Sequence, residues 1–171
     1  MTGKAARTVY LAGPAVFHPA ARALFDYLKE VCATHGLTGI APSDGLDSLD
    51  SLPKDQQAAF IRAANVEKIK ACDVVVVCIS PFRGAGADAG SAWEMGYAEA
   101  LGKPVVAWCE DMRPYVERVP HQRDDDGRVF CQQHGMLVED FGLVDNLMMT
   151  AGPIPVQGDF EAAVRLAASL P

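Results

Sequence analysis

The chain has 171 residues, half of them apolar and 8% aromatic, with a formal net charge of −7. That length suits one domain with a sizeable core, and the whole of 1–171 is expected to form it. The acidic balance excludes a broad phosphate-binding surface, and with it DNA or RNA as partner, but leaves room for a small neutral ligand carrying a nucleobase.

Met1 to Arg7 is polar and basic, but the apolar run after it is short and broken by Gly13 and Pro14, so it does not read as a signal peptide. No segment approaches the ~20 apolar residues needed to cross a bilayer. A soluble, cytoplasmic protein is expected.

Thr8 to Ala12 (TVYLA) reads as a short strand ending at the turn signal Gly13-Pro14. Between His18 and His35, Ala21, Leu24, Phe25, Leu28, Val31 and Cys32 recur at helical spacing, and Gly36 closes the helix. Gly39 to Pro42 suggests a second strand, and Asp44 to Lys54 a loop. Asp55 is placed to N-cap a helix reaching about Ala71. Asp73 to Ile79 (DVVVVCI) is continuously apolar and β-branched, as a central parallel strand covered on both faces should be.

After a loop at Pro81 to Ala87, a helix is predicted from Asp88 to Leu101, closed by Gly102, then a buried strand from Lys103 to Trp108. Cys109 to Phe141 is long, polar and irregular, with RDDDGR (Arg123 to Arg128) in its middle. Its 110–137 portion is expected to be a lid or an interface loop. Phe160 to Leu170 reads as an amphipathic closing helix.

Strands alternating with helices predict an α/β fold, a Rossmann- or flavodoxin-like three-layer arrangement around a mainly parallel sheet. Ligands of such sheets sit beyond the carboxyl ends of the strands. The loops at Gly13 to Phe17, Pro42 to Asp50 and Ser80 to Asp88 therefore matter most.

The five cysteines (32, 72, 78, 109 and 131) have no CxxC pairing, and Cys32, Cys72 and Cys78 read as buried thiols. Cys131 and His134 have C-x-x-H spacing, but a structural zinc normally takes four well-spaced ligands, so no metal is expected. The chain has no GxGxxG after its first strand, no GxxxxGK[ST] and no GxSxG. Dinucleotide, NTP and serine-hydrolase chemistry lack their usual anchors.

Polar residues do gather near the predicted strand ends: Tyr10 in the first strand, Asp73 opening the third, and Asp88, Ser91 and Glu94 at the following helix start. Asp88 reads as an N-cap or as a site carboxylate. Asp73 reads as a strand-end residue capping a turn. Glu94 lies between Trp93, Met95, Tyr97 and Ala98, and a carboxylate there either reaches solvent or is held by partners. Held by a tyrosine hydroxyl, it suits nucleophilic attack on an acetal-like carbon. Gly90 and Gly96 cost helix stability, which asks for close packing or a flat ligand.

YLAGP (Tyr10 to Pro14), CDVVVV (Cys72 to Val77), SPFRG (Ser80 to Gly84), DAGSAWEMGYAEALGKPV (Asp88 to Val105) and VEDFGLVDNLMM (Val138 to Met149) together resemble the nucleoside 2-deoxyribosyltransferases. The bacterial and protozoan branch with PFRG and DNLM segments is the most similar, over roughly Tyr10 to Met149. The resemblance implies nucleotide salvage chemistry: exchange of the base of a 2′-deoxynucleoside through a covalent deoxyribosyl ester, with free bases as co-substrates and no cofactor. It further implies Glu94 as nucleophile, Tyr10 as the hydroxyl positioning it, and Asp73 and Asp88 as carboxylates near the base, with Asp73 the proton donor. Asn146 and Met148 resemble residues that complete a neighbouring subunit's site in a homo-oligomer. Gly13, Phe17, Arg83, Gly90 and Ser91 are implied as substrate-binding residues.

Ser91 stands where threonine is common in that family, keeping the hydroxyl. Some members bring a terminal aromatic and carboxylate to the sugar, whereas this sequence ends Ser169-Leu170-Pro171. Two other functions stay open. One is hydrolysis of the N-glycosidic bond of a nucleoside 5′-monophosphate, which needs cationic or hydroxyl groups for the phosphate. The other is a non-catalytic nucleotide-binding module.

Overall fold

The computed structural model describes residues 6–46, 49–152 and 156–171, so the Asp47–Ser48 part of the second loop and residues 1–5 of the N-terminal stretch lie outside the described residues. In chain order the elements are β1 (Arg7–Ala12), α1 (Ala21–Thr34), β2 (Leu37–Ile40), α2 (Lys54–Ala71), β3 (Val74–Cys78), α3 (Ala89–Ala100) and β4 (Val105–Trp108). There follow α4 (Tyr115–Arg118), β5 (His121–Arg123), β6 (Val129–Cys131), α5 (Leu147–Thr150), β7 (Val156–Gln157) and α6 (Phe160–Ser169).

Five strands form one sheet in the order β2-β1-β3-β4-β7, every neighbouring pair parallel. This is the expected mainly parallel α/β architecture, with its first strand inside the sheet as in doubly wound folds. Side-chain alternation divides the core. Val9, Leu11, Val74, Val76 and Val106 face α1 and α6, packing on Phe25, Leu28, Phe160 and Val164. Tyr10, Ala12, Val75, Val77 and Ala107 face the other way, onto Ile69 of α2 and Met95 and Ala98 of α3. Each buried Val, Leu or Phe contributes about 1.5–3 kcal/mol, so the apolar run of β3 anchors both layers. No helix among the described residues is long and apolar enough to cross a membrane.

Several predicted boundaries shift for local reasons. Helix α1 starts at Ala21 rather than His18, because Pro14–Phe17 forms a 3-10 turn and the His18 ring accepts the Ala20 amide. Asp55 is not the cap of α2: Pro53 holds that position and Asp55 lies in the first turn. The 109–141 stretch is more regular than its composition suggests. It holds α4 and the antiparallel β5–β6 hairpin, whose turn Asp124 ties by accepting the amides of Asp126 and Arg128.

Gly13 is needed where β1 turns. Its φ of +147° is poorly open to other residues, and a Cβ there would stand 2.8 Å from the Cβ of Cys78. The turn can thus lie flat against the end of β3. Gly96, by contrast, faces open space, so packing within the chain gives no reason for it.

Candidate active site

A cavity of about 410 Å³ opens at the carboxyl ends of β1 and β2, closed on one side by α2 and on the other by the start of α3. Gly13, Val16 and Phe17 form the β1 side and Pro42, Ser43 and Leu46 the β2 side. Ile61 and Asn65 enter from α2, and Asp88, Gly90, Ser91 and Glu94 from α3. This is the crevice that a parallel sheet provides by topology.

Helix α3 is built to aim its carboxylate inward. Asp88 caps it, its Oδ2 accepting both the Ser91 amide and the Ser91 hydroxyl at 2.9 Å. A Cβ on Gly90 would meet that same Oδ2 at 3.0 Å. Ser91, Met95 and Ala98 are buried against the sheet, and Glu94, three residues beyond Ser91, shares that side of the helix.

The Tyr10 hydroxyl, on the sheet face that α3 covers, donates to Glu94 Oε1 at 2.6 Å. Burial pushes the Glu94 carboxyl above the ordinary range; the Tyr10 bond opposes this, the Asp88 charge adds to it, and the Lys68 ammonium opposes it. Burial and the neighbouring carboxylate push the Tyr10 phenol far above its usual value, so it stays a donor. A half-buried carboxylate with one oxygen fixed by a neutral donor keeps its other oxygen for an electrophile in the cavity.

The family model described as nucleoside 2-deoxyribosyltransferase matches residues 9–148. The chain belongs to that deoxyribosyltransferase family. It is 34% identical over 169 residues to an uncharacterized protein of Schizosaccharomyces pombe, covering 90% of this chain and 80% of the relative. Its structure is similar to that of a 2-deoxyribosyltransferase from Leishmania mexicana, at 34% identity and a TM-score of 0.77, over 95% of this chain and 97% of that one. A 2-deoxyribosyltransferase from Bacillus psychrosaccharolyticus is similar at 25% identity and a TM-score of 0.50, over 60% of this chain and 72% of that one.

For this deoxyribosyltransferase-family chain, the geometry gathers Tyr10, Gly13, Phe17, Asp88, Gly90, Ser91 and Glu94 in one place. It does not bring Asp73 there. Asp73 precedes β3 at the amino end of the sheet, exposed, its Oδ2 accepting the Thr8 amide at 2.7 Å and the Thr8 hydroxyl at 2.9 Å. Those bonds hold its carboxyl below the ordinary range, the reverse of what a proton donor needs. It is a clip between β1 and β3.

Arg83 is also outside the cavity wall. With φ +56°, it turns its guanidinium over the stacked rings of Phe17 and Phe82, 5.0 and 4.6 Å from their centroids. It touches the site only through Phe17. Asn146 and Met148 lie apart from this chain's cavity. The Asn146 side-chain Oδ1 caps α5 by accepting the Met148 amide, its Nδ2 donates to Glu139 at 2.6 Å, and Met148 is 79% exposed. No residue of 110–137 lines the cavity either.

Sequence reasoning missed Ile61 and Asn65 as lining residues, whereas Val16, Pro42, Ser43 and Leu46 lie in loops it singled out. Ile61 and Asn65 are four apart and hence on one helix face, but only knowing that α2 stands beside the cavity turns that spacing into a signal.

Proposed function

We propose that the chain exchanges the base of 2′-deoxynucleosides by double displacement at Glu94. The observation that carries this reading is the 2.6 Å bond from the buried Tyr10 hydroxyl to Glu94 at the wall of a nucleoside-sized cavity. The free oxygen of Glu94 attacks C1′ as the glycosidic bond breaks, giving a deoxyribosyl ester and the departing base. A second base then attacks C1′ and releases the carboxylate. Two inversions retain configuration, and the anion offsets the positive charge that builds on the sugar ring. Asp88, the second carboxylate at the cavity, handles the proton of the base, with Ser43, Asn65 and Ser91 as neutral hydrogen-bonding partners.

Exchange of nucleosides is favoured over cleavage of 5′-monophosphates by the charge of the lining. Among the described residues no lysine or arginine lines the cavity, and its two ionisable side chains are carboxylates. A phosphate would enter an anionic site without a counter-charge.

Asn146 and Met148 are assigned to a neighbouring copy's site in a homo-oligomer. In support, Met148, Met136, Leu137 and Phe141 leave 79, 70, 65 and 66% of their surface exposed.

The test is incubation of a purine 2′-deoxynucleoside with a free pyrimidine. Formation of the exchanged nucleoside is expected, and Glu94→Ala abolishes it while the fold is kept. Release of free deoxyribose alone, or exchange by Glu94→Ala at the wild-type rate, refutes the reading.

A further inference from the structure

Helix α2 contributes more than lining. One turn beyond Asn65, the Lys68 ammonium donates to the Pro42 carbonyl at 2.5 Å and lies 3.4 Å from Asn65 Oδ1. Pro42 and Asn65 are both cavity residues, one at the end of β2 and one on α2. The turn that follows is braced from the other side. Asp44 accepts the Ala41 amide at 2.8 Å and the Lys29 ammonium of α1 at 2.5 Å. The ionisable groups facing Glu94 are Tyr10 from β1, Asp88 at its own helix start, and Lys68 from α2. Those facing Lys68 are Asp44, Lys29 and Glu94.

We propose that Lys68 is a positioning residue of the Glu94 centre: its ammonium fastens the Pro42 turn to Asn65 and α2 behind the cavity wall. It does not line the cavity, so it acts through the Pro42 turn, Asn65 and Glu94 rather than on substrate. The arrangement eases a conflict in the site. A nucleophilic carboxylate must be anionic, yet Glu94 is half-buried with Asp88 beside it, and both disfavour the anion. A cation outside the cavity lining favours the anion, although burial still holds the carboxyl above its ordinary range. Burial lowers the Lys68 ammonium from its ordinary range, while Asp44 and Glu94 raise it back.

The proposal rests on the nucleophile assignment above, and its test separates the two. Lys68→Met and Lys68→Arg are compared with wild type by the pH profile of base exchange and by carbon-13 NMR titration of the Glu94 carboxylate. Lys68→Met moves both the acid limb of kcat/KM and the carboxylate titration to higher pH. On that limb kcat/KM falls by about twofold or more relative to its plateau. KM rises on the plateau because the Pro42 turn is released, and Lys68→Arg restores the acid limb. Lys68→Gln, polar but uncharged, moves the titration the same way as Lys68→Met, a reading that serves if Lys68→Met does not fold. An unmoved Glu94 titration in Lys68→Met, failure of Lys68→Arg to restore it, or an unmoved titration in Lys68→Gln overturns the proposal. Absence of exchange by the wild type refutes the proposed function, whereas the carboxylate titration decides the role of Lys68 by itself.

Discussion

Replacing Tyr10 with phenylalanine deletes one oxygen and little else. The ring is fully buried among β1, α2 and α3, and the partner of its hydroxyl is Glu94 at 2.6 Å. A hydrogen bond to a charged group contributes about 1.5–3 kcal/mol; half-burial of Glu94 puts this one near the low end, about 1.5 kcal/mol. That energy favours the ionised carboxylate, so its loss makes Glu94 harder to ionise. The acid limb of kcat/KM for base exchange should move to higher pH, with a fall of roughly tenfold on the limb. The plateau, where both proteins carry an ionised Glu94, should change much less. Stability should follow the same sign. Tyr10→Phe is weakened by about 1.5 kcal/mol at neutral pH and recovers the charge-dependent part of that loss in acid, where Glu94 is protonated in both proteins. Exchange measured by chromatography across the pH range, with thermal melts alongside, reads both effects. A uniform loss at every pH, or an unmoved acid limb, would refute action of the hydroxyl through Glu94 ionisation.

Glu94→Gln should abolish exchange and raise the melting temperature at neutral pH by roughly 2–4 °C, about 1 kcal/mol in a chain of this size. The folded state holds the Glu94 proton more tightly than the unfolded one. Wild-type stability therefore falls as pH rises from the ordinary glutamate range through the folded value, and the gap between variant and wild type should open over that window. Asp73→Asn should leave exchange within about twofold, as a clip remote from the cavity, and cost less than about 1 kcal/mol given its exposure. Because its folded value is depressed, that contribution is present above the ordinary aspartate range and vanishes as pH falls through the folded value; chemical denaturation at neutral and acid pH checks this. Gly13→Ala must place a Cβ 2.8 Å from that of Cys78 at φ +147°, and should lose about 1–3 kcal/mol in a denaturant titration. Wild-type stability in that variant would remove the steric reason for the glycine.

What was legible in the sequence is what local chemistry alone determines. The β-branched run of β3 has no stable place outside a doubly covered strand, and Asp88 followed three residues later by Ser91 writes its own cap. Even the Tyr10–Glu94 pair is half legible, since alternation puts Tyr10 on the face opposite Val9 and Leu11. The β5–β6 hairpin was hidden because three-residue strands carry no readable period, although the Asp-Gly of its turn is a hairpin signal.

Asp73 shows how a motif match can outrun geometry. A parallel strand of five residues at ~3.3 Å each separates its two ends by roughly 16 Å. A residue that opens β3 therefore cannot attend a ligand at the strand's far end, and the rule that located the cavity already excluded it. The converse error concerns Asn65 and Lys68. Both sit on a long helix with a single fully buried residue, Ile69, where polar side chains read as solvent-facing. Their use depends on α2 standing between the Pro42 turn and α3, a relation among three segments far apart in sequence that no window on one of them contains. Glu94 is thus the part of the site that sequence can name, while the burial, the Tyr10 hydroxyl and the Lys68 ammonium that act on its ionisation come from tertiary structure.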